Sequence, residues 1–336
     1  MTAKSPQTPL PVDLSNSRRA PAIPASMFGI VLGTAGLANC WHAASDLWHF
    51  PSIVGDAIGL VAAIIWACLV VLFAGKWILF SAEAKLELEH PVQCCFVGLV
   101  GVSTMLVGAN LYSFFGAVAH VLYWAGFIWT ALFSLWRSGA LWRGGRDATT
   151  TTAVLYLPSV AGFYVVGIAG ASLGYVDLAK LSFGAGFFSW LAIESVLLNR
   201  LLTSAELAEA LRPTIGIQLA PPAVGAAAYL SATEGVPDML AHAMVGYALL
   251  QLFLMIRIFP WVLKQPLNAS YWAFSFGLTA LATDIIRMVY RGDRGILEYL
   301  AMPVLVAVSA AIFALALITL RLLLSGKLLP LRPVKP

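Results

Sequence analysis

The chain has 336 residues, 60% of them apolar and 11% charged, with a net charge of +4 and a mean hydropathy of +0.86. A soluble domain carries about 25% charged residues, so this composition excludes an ordinary soluble protein and points to a polytopic membrane protein of all-α class. The small positive charge follows from membrane topology, and nothing in it calls for a nucleic-acid partner.

Residues 1–20 are polar and contain proline; they are expected to form a disordered cytoplasmic tail with no cleavable leader. Ten apolar segments then follow within a transmembrane domain over 21–326: 22–43, 53–80, 91–112, 114–137, 154–174, 178–200, 213–231, 236–260, 267–289 and 296–325. Each is long enough for a helix to cross a bilayer, which takes about 20 residues. Residues 327–336 are expected to be a short cytoplasmic tail. Between spans, 81–91 reads as a short amphipathic cytoplasmic helix, and 203–213 has a cap-like Ser204 ahead of an acidic first turn.

With ten spans both termini share one side, and 16 of the 20 Lys and Arg residues fall there. Loops rich in these residues stay in the cytoplasm, which puts both termini inside.

Odd and even segments differ. The odd ones hold 13 glycines against 8 in the even ones and begin near Pro24, Pro91, Pro158, Pro213 and Pro266, at intervals of 67, 67, 55 and 53 residues. The even ones hold Trp66, Trp77, Trp124, Trp129, Trp136 and Trp190, suited to a lipid-facing surface. Five helical hairpins in series are expected, with quasi-five-fold symmetry: an inner ring of slim helices inside five outer ones. At about 100° per residue, Gly29, Gly33, Gly36 and Cys40 share a face, as do Gly98, Gly101 and Gly108, Gly162 and Gly170, and Gly216, Ala220 and Ala227. Such stripes fit either a central pore or close helix packing of the small-xxx-small type.

Charge is nearly absent from the odd segments; only the ninth carries any between its ends, at Asp284 and Arg287. Asp56, Glu194, His120 and His242 lie on even segments and are expected to make contacts between helices or subunits. Cys40, Cys68, Cys94 and Cys95 lack CxxC spacing and nearby histidines, so they read as small apolar residues, and no metal or cofactor is expected. No clustered nucleophile or acid/base pair marks a catalytic site, so an enzyme is not expected.

The stretches PASMFGIVLGTAGLANCW (24–41), TMLVGANLY (104–112), LPSVAGFY (157–164), GIQLAPPAVGAAAYLS (216–231), LLQLFLMIRIFPW (249–261) and YWAFSFGLTALA (271–282) resemble the tellurite-resistance/dicarboxylate transporter family. That family includes the bacterial TehA proteins and the plant guard-cell slow anion channels, and the resemblance spans about 22–325. It implies a homotrimer of ten-helix protomers, each with its own central pore, occluded by a helix-9 phenylalanine that matches Phe276 and packs against Gly29. Phe28, Gly33, Phe96, Gly98, Pro158, Gly162, Pro222 and Gly277 are the expected pore lining, and Arg287 the outer mouth.

Small inorganic or organic anions and membrane lipid are then the expected partners. A pore without charged rings should favour easily dehydrated monovalent anions. Arg287, about 16 Å along the helix from Phe276, could enrich anions at the mouth, or could simply pair with Asp284 at i, i+3. The alternative to a gated passive channel is a proton-coupled carrier of C4-dicarboxylates, sulfite or tellurite.

Overall fold

The computed structural model describes residues 23–329, so the expectations for the two tails lie largely outside the described residues. It is all-helical. In chain order the α-helices are α1 (Phe28–Trp48), α2 (Ile53–Leu79), α3 (Ser81–Glu89), α4 (Leu99–Leu111), α5 (Gly116–Trp142), α6 (Gly162–Ser172), α7 (Val176–Thr203), α8 (Ala220–Ala232), α9 (Met239–Val262), α10 (Ser275–Tyr290) and α11 (Ile296–Leu324).

Among the described residues nine helical stretches are long and apolar enough to cross a membrane. The tenth expected span, α1, has 21 residues, but Asn39, His42, Ser45 and Asp46 dilute its apolar content. It is nonetheless mostly buried inside the bundle.

Two populations separate by burial. In the stretches ending in α4, α6, α8 and α10, 72–89% of the apolar window is buried, against 22–33% for α2, α5, α7, α9 and α11. The contacts explain why. α1 packs on α4, α4 on α6, α6 on α8, α8 on α10 and α10 back on α1, so these five helices close a ring. Each outer helix packs against the inner helix before it in sequence. Glycine permits the closest of these hairpin contacts: a methyl on Gly101 of α4 would lie 2.7 Å from the Gly126 carbonyl of α5, and one on Gly126 would lie 2.6 Å from that of Gly101.

The inner helices share a second trait. Each is reached through a tighter or wider non-α turn: 3-10 turns at Ala25–Met27, Gln93–Gly98, Glu209–Leu219 and Ala269–Phe274, and a π turn at Leu157–Ala161. The recurrent prolines sit in or just before these turns, where a missing N–H and a fixed φ do little harm. All five lead-in turns therefore lie at one end of the bundle.

Two local expectations change. Ser204 does not cap a helix, because residues 204–208 are non-helical and the next 3-10 turn starts at Glu209. The extended stretch instead delivers Leu207 into the core, while Arg212 reaches Glu206 and Glu209, each at 3.6 Å, and lies over the Trp261 ring. α3 is held by an ion pair more than by an apolar face: Ala84 is its one buried residue, and Leu86 is exposed. Glu87 accepts from Lys76 Nζ at 2.6 Å and from the Ala25 amide at 2.8 Å, tying α3 to the start of the first inner helix.

Candidate functional site

The lead-in turns surround a cavity of about 140 Å³ whose wall is mostly apolar. Its lining repeats every third residue: Gln93, Phe96 and Leu99; Leu211, Thr214, Ile217 and Ala220; Ser270, Ala273 and Phe276. A 3-10 helix has about three residues per turn, so positions i and i+3 eclipse and present one face. Ser26, Gly29 and Leu32 on the first inner helix keep the same spacing, and the π turn contributes Leu157 and Ala161.

The C-terminal ends of the same five helices surround a larger cavity of about 500 Å³, with polar walls that include Asn39, His42, Asp46, Asn110, Arg287 and Arg291. Between the two lies a void of about 20 Å³ touched by all five inner helices through Gly36, Asn39, Leu106, Ile168, Ala227 and a row on α10. That row, Phe276, Ala280, Thr283 and Arg287, has ordinary α-helical spacing.

Phe276 borders both the 140 Å³ cavity and the small void, and Arg287 borders the small void and the large cavity. The Phe276 side chain is 9% exposed. Phe274 points elsewhere, stacking on Tyr271 at 6.5 Å between centroids and meeting Phe259 edge-on at 5.8 Å. Neighbouring hydroxyls fix the α10 backbone, with Ser275 donating to the Trp272 carbonyl at 2.7 Å and Thr279 to the Phe276 carbonyl at 3.1 Å.

The remaining expected residues fall into two groups. Gly29 and Phe96 line the inner cavity with Phe276. However, a methyl on Gly29 would find only Trp272 Cβ, at 3.8 Å. The glycine that faces the Phe276 ring is Gly36, where a methyl would lie 3.5 Å from Cδ2. Other small residues serve contacts between helices: Gly33 faces Ser275 and Trp272, Gly98 faces Phe133, Gly162 faces Thr130, and Gly277 lies against Leu219 and Ala220. Phe28 turns outward to meet Phe73 edge-on at 5.8 Å. Pro158 and Pro222 are buried in the first turns of their helices.

Charge is distributed unevenly. Arg287 donates to Ser231 Oγ at 3.1 Å and makes no ion pair with Asp284. Arg291 bonds the Gly235 carbonyl at 2.6 Å and the Leu230 carbonyl at 3.0 Å, and Arg294 pairs with Glu298 at 2.9 Å. His42 lies 3.6 Å from Asp56 of α2.

Away from the cavities, Glu194 on α7 accepts from Trp190 at 2.9 Å, Tyr247 at 2.7 Å and Gln218 at 3.0 Å, and also from the Tyr156 hydroxyl. It knots two inner lead-in turns to two outer helices. His120 meets the Tyr175 hydroxyl at 2.9 Å, and His242 meets Asp293 at 2.8 Å. Cys40 donates to the Thr279 carbonyl at 2.9 Å, while Cys94 and Cys95 are buried and Cys68 is exposed.

Comparison with known proteins identifies the family. The tellurite resistance protein TehA homolog of Haemophilus influenzae is 38% identical over 306 residues, covering 91% of this chain and 92% of its own length. An uncharacterized transporter of Methanocaldococcus jannaschii is 27% identical across 79% of this chain and 83% of its own. The S-type anion channel SLAH2 of Arabidopsis thaliana is 22% identical, with 79% of this chain matching 52% of that longer protein. Residues 22–320 match the voltage-dependent anion channel family as a whole, and on these grounds the chain belongs to that family, one of channels and transporters and not of enzymes.

Proposed function

We propose that the protein is a gated, passive anion channel in which Phe276 closes a central pore lined by the five inner helices in quasi-five-fold arrangement. The observation that carries this reading is the position of one ring between two cavities: Phe276 borders the inner cavity and the void beyond it. An apolar constriction of this kind blocks ions by excluding their water. The channel spans the bacterial inner membrane ten times, α1 included, with both termini cytoplasmic, and three protomers assemble with one pore each, an assembly that native mass spectrometry can count.

Selectivity follows from what lines the path. Among the described residues no Asp, Glu, Lys or Arg borders the inner cavity, so an anion passing Phe276 must shed water without a fixed charge in return. Nitrate and the heavier halides should therefore permeate ahead of chloride, and small, strongly hydrated anions behind it. Conductance of Phe276→Ala in planar bilayers tests the gate: current well above the parent protein is expected, and current no greater would end the reading. Reversal potentials of that variant across a panel of anions test the order. A carrier for dicarboxylates, sulfite or tellurite would instead show uptake into proteoliposomes driven by a pH gradient.

A further inference from the structure

Asp284 stands on α10 three residues before Arg287, and its side chain is wholly buried. Neither of its carboxyl oxygens has a hydrogen-bond partner among the described residues. A buried carboxylate without donors is strongly disfavoured, so such a group either stays neutral or gains a cation. The cation on its own helix is engaged elsewhere, because Arg287 donates to Ser231 of α8.

At about 100° per residue Asp284 projects about 80° from the direction of Phe276. That is the side of Gly277, which lies against Leu219 and Ala220. The carboxyl thus occupies the seam between α10 and α8, beside the wall formed by Ala280, Thr283 and Arg287.

Its titratable surroundings are few. α1 brings the Cys40 thiol, already bonded to Thr279 and Thr283, and, farther out on the large cavity, His42 and Asp46; α9 brings His242, paired with Asp293, and Arg257 toward its other end. α8 brings Tyr229, whose hydroxyl is committed to Asp238. α11 carries Glu298, Tyr299 and Arg321 near its ends, and α10 itself adds Arg287 and, one turn on, Arg291. Along α10 itself, Arg287 is the one cation within a turn of the carboxyl.

We propose that Asp284 is a proton-binding site set into the wall of the pore, and that its proton decides where Arg287 points. While the carboxyl is protonated, Arg287 rests on Ser231 and presents its charge to the outer cavity. When the proton leaves, the carboxylate draws the guanidinium back one turn into an i, i+3 ion pair, and the outer cavity loses a cation. The consequence for conduction rests on the anion-channel reading above, since the charge in question is the one an arriving anion meets.

The test uses Asp284→Asn, which keeps the shape and removes the ionisation. In planar bilayers, on the Phe276→Ala background, current through the parent should fall as the pH rises, whereas Asp284→Asn should hold the acid-side level throughout. Independently of conduction, an infrared difference spectrum of the full-length protein minus Asp284→Asn at neutral pH should contain the C=O stretch of a protonated carboxylic acid. A pH profile unchanged by Asp284→Asn, or no such band, overturns the proposal. If neither protein passes anions, the channel reading fails alone, and the infrared band still decides whether Asp284 holds a proton.

Discussion

Gly29 and Gly36 lie two turns apart on α1 and meet different neighbours. A methyl on Gly36 would come 2.2 Å from Thr279 Oγ1, 3.0 Å from Thr279 Cβ and 3.5 Å from the Phe276 ring, whereas one on Gly29 meets nothing closer than 3.8 Å. Overpacking of that kind costs about 1–3 kcal/mol. Gly36→Ala is therefore expected to lower the melting temperature in detergent and to press on the ring, while Gly29→Ala leaves stability close to the parent. The reverse ranking would return Gly29 to the role of the ring's counterpart. At Arg287 the contact with Ser231 leaves the positive charge facing the outer cavity. Arg287→Glu should depress anion current strongly at low ionic strength and weakly near 1 M salt, where the screening length is about 3 Å. An equal effect at both salts would mean that Arg287 acts locally and not through its field.

Along each inner element the helical pitch changes partway, and this limited what the sequence could reveal. Phe276 and Arg287 share a face because α10 keeps α-helical spacing between them, so spacing relates the two once the resemblance points to Phe276. Gly33, Gly98 and Gly162 instead face side chains of neighbouring helices, and two physical reasons account for the difference. Near the 3-10 lead-in turns the face advances by about 120° per residue, so a stripe drawn at about 100° drifts off it, as at Gly98. Glycine is also as useful for seating one helix on another as for widening a passage, and here it serves Ser275, Phe133 and Thr130. The spacing of three in Gln93, Phe96 and Leu99 was the available signal. Single cysteines at Phe96, Thr214 and Ala273, in a protein with Cys68 replaced, should react with a small charged thiol reagent applied from the inner-cavity side. A cysteine at Gly98 should not, because that position is sealed against Phe133, and equal labelling at all four would contradict the three-residue face.

At the level of the whole molecule, the division into slim inner and tryptophan-bearing outer helices was legible because burial acts on entire segments, and a segment buried on all sides needs no polar face. Helix ends fall within a few residues of the expected segments. The first span blurred, since Asn39, His42 and Asp46 belong to the wall of a water-accessible cavity and lower the apolar content of α1. The ring closure from α10 back to α1 left no local trace, for it joins residues such as Cys40 and Thr283 that are 243 positions apart. The two chambers on either side of Phe276 and its small void are unlike, one small and greasy, the other roomy and polar. Block should accordingly be sided: a bulky aromatic carboxylate should inhibit only from the face that opens onto the greasy chamber, and a compact, well-hydrated oxyanion should compete only from the opposite face. Excised patches exposed to each compound on one face at a time would read this directly, and potency that ignores the face would mean that the two antechambers are not functionally distinct.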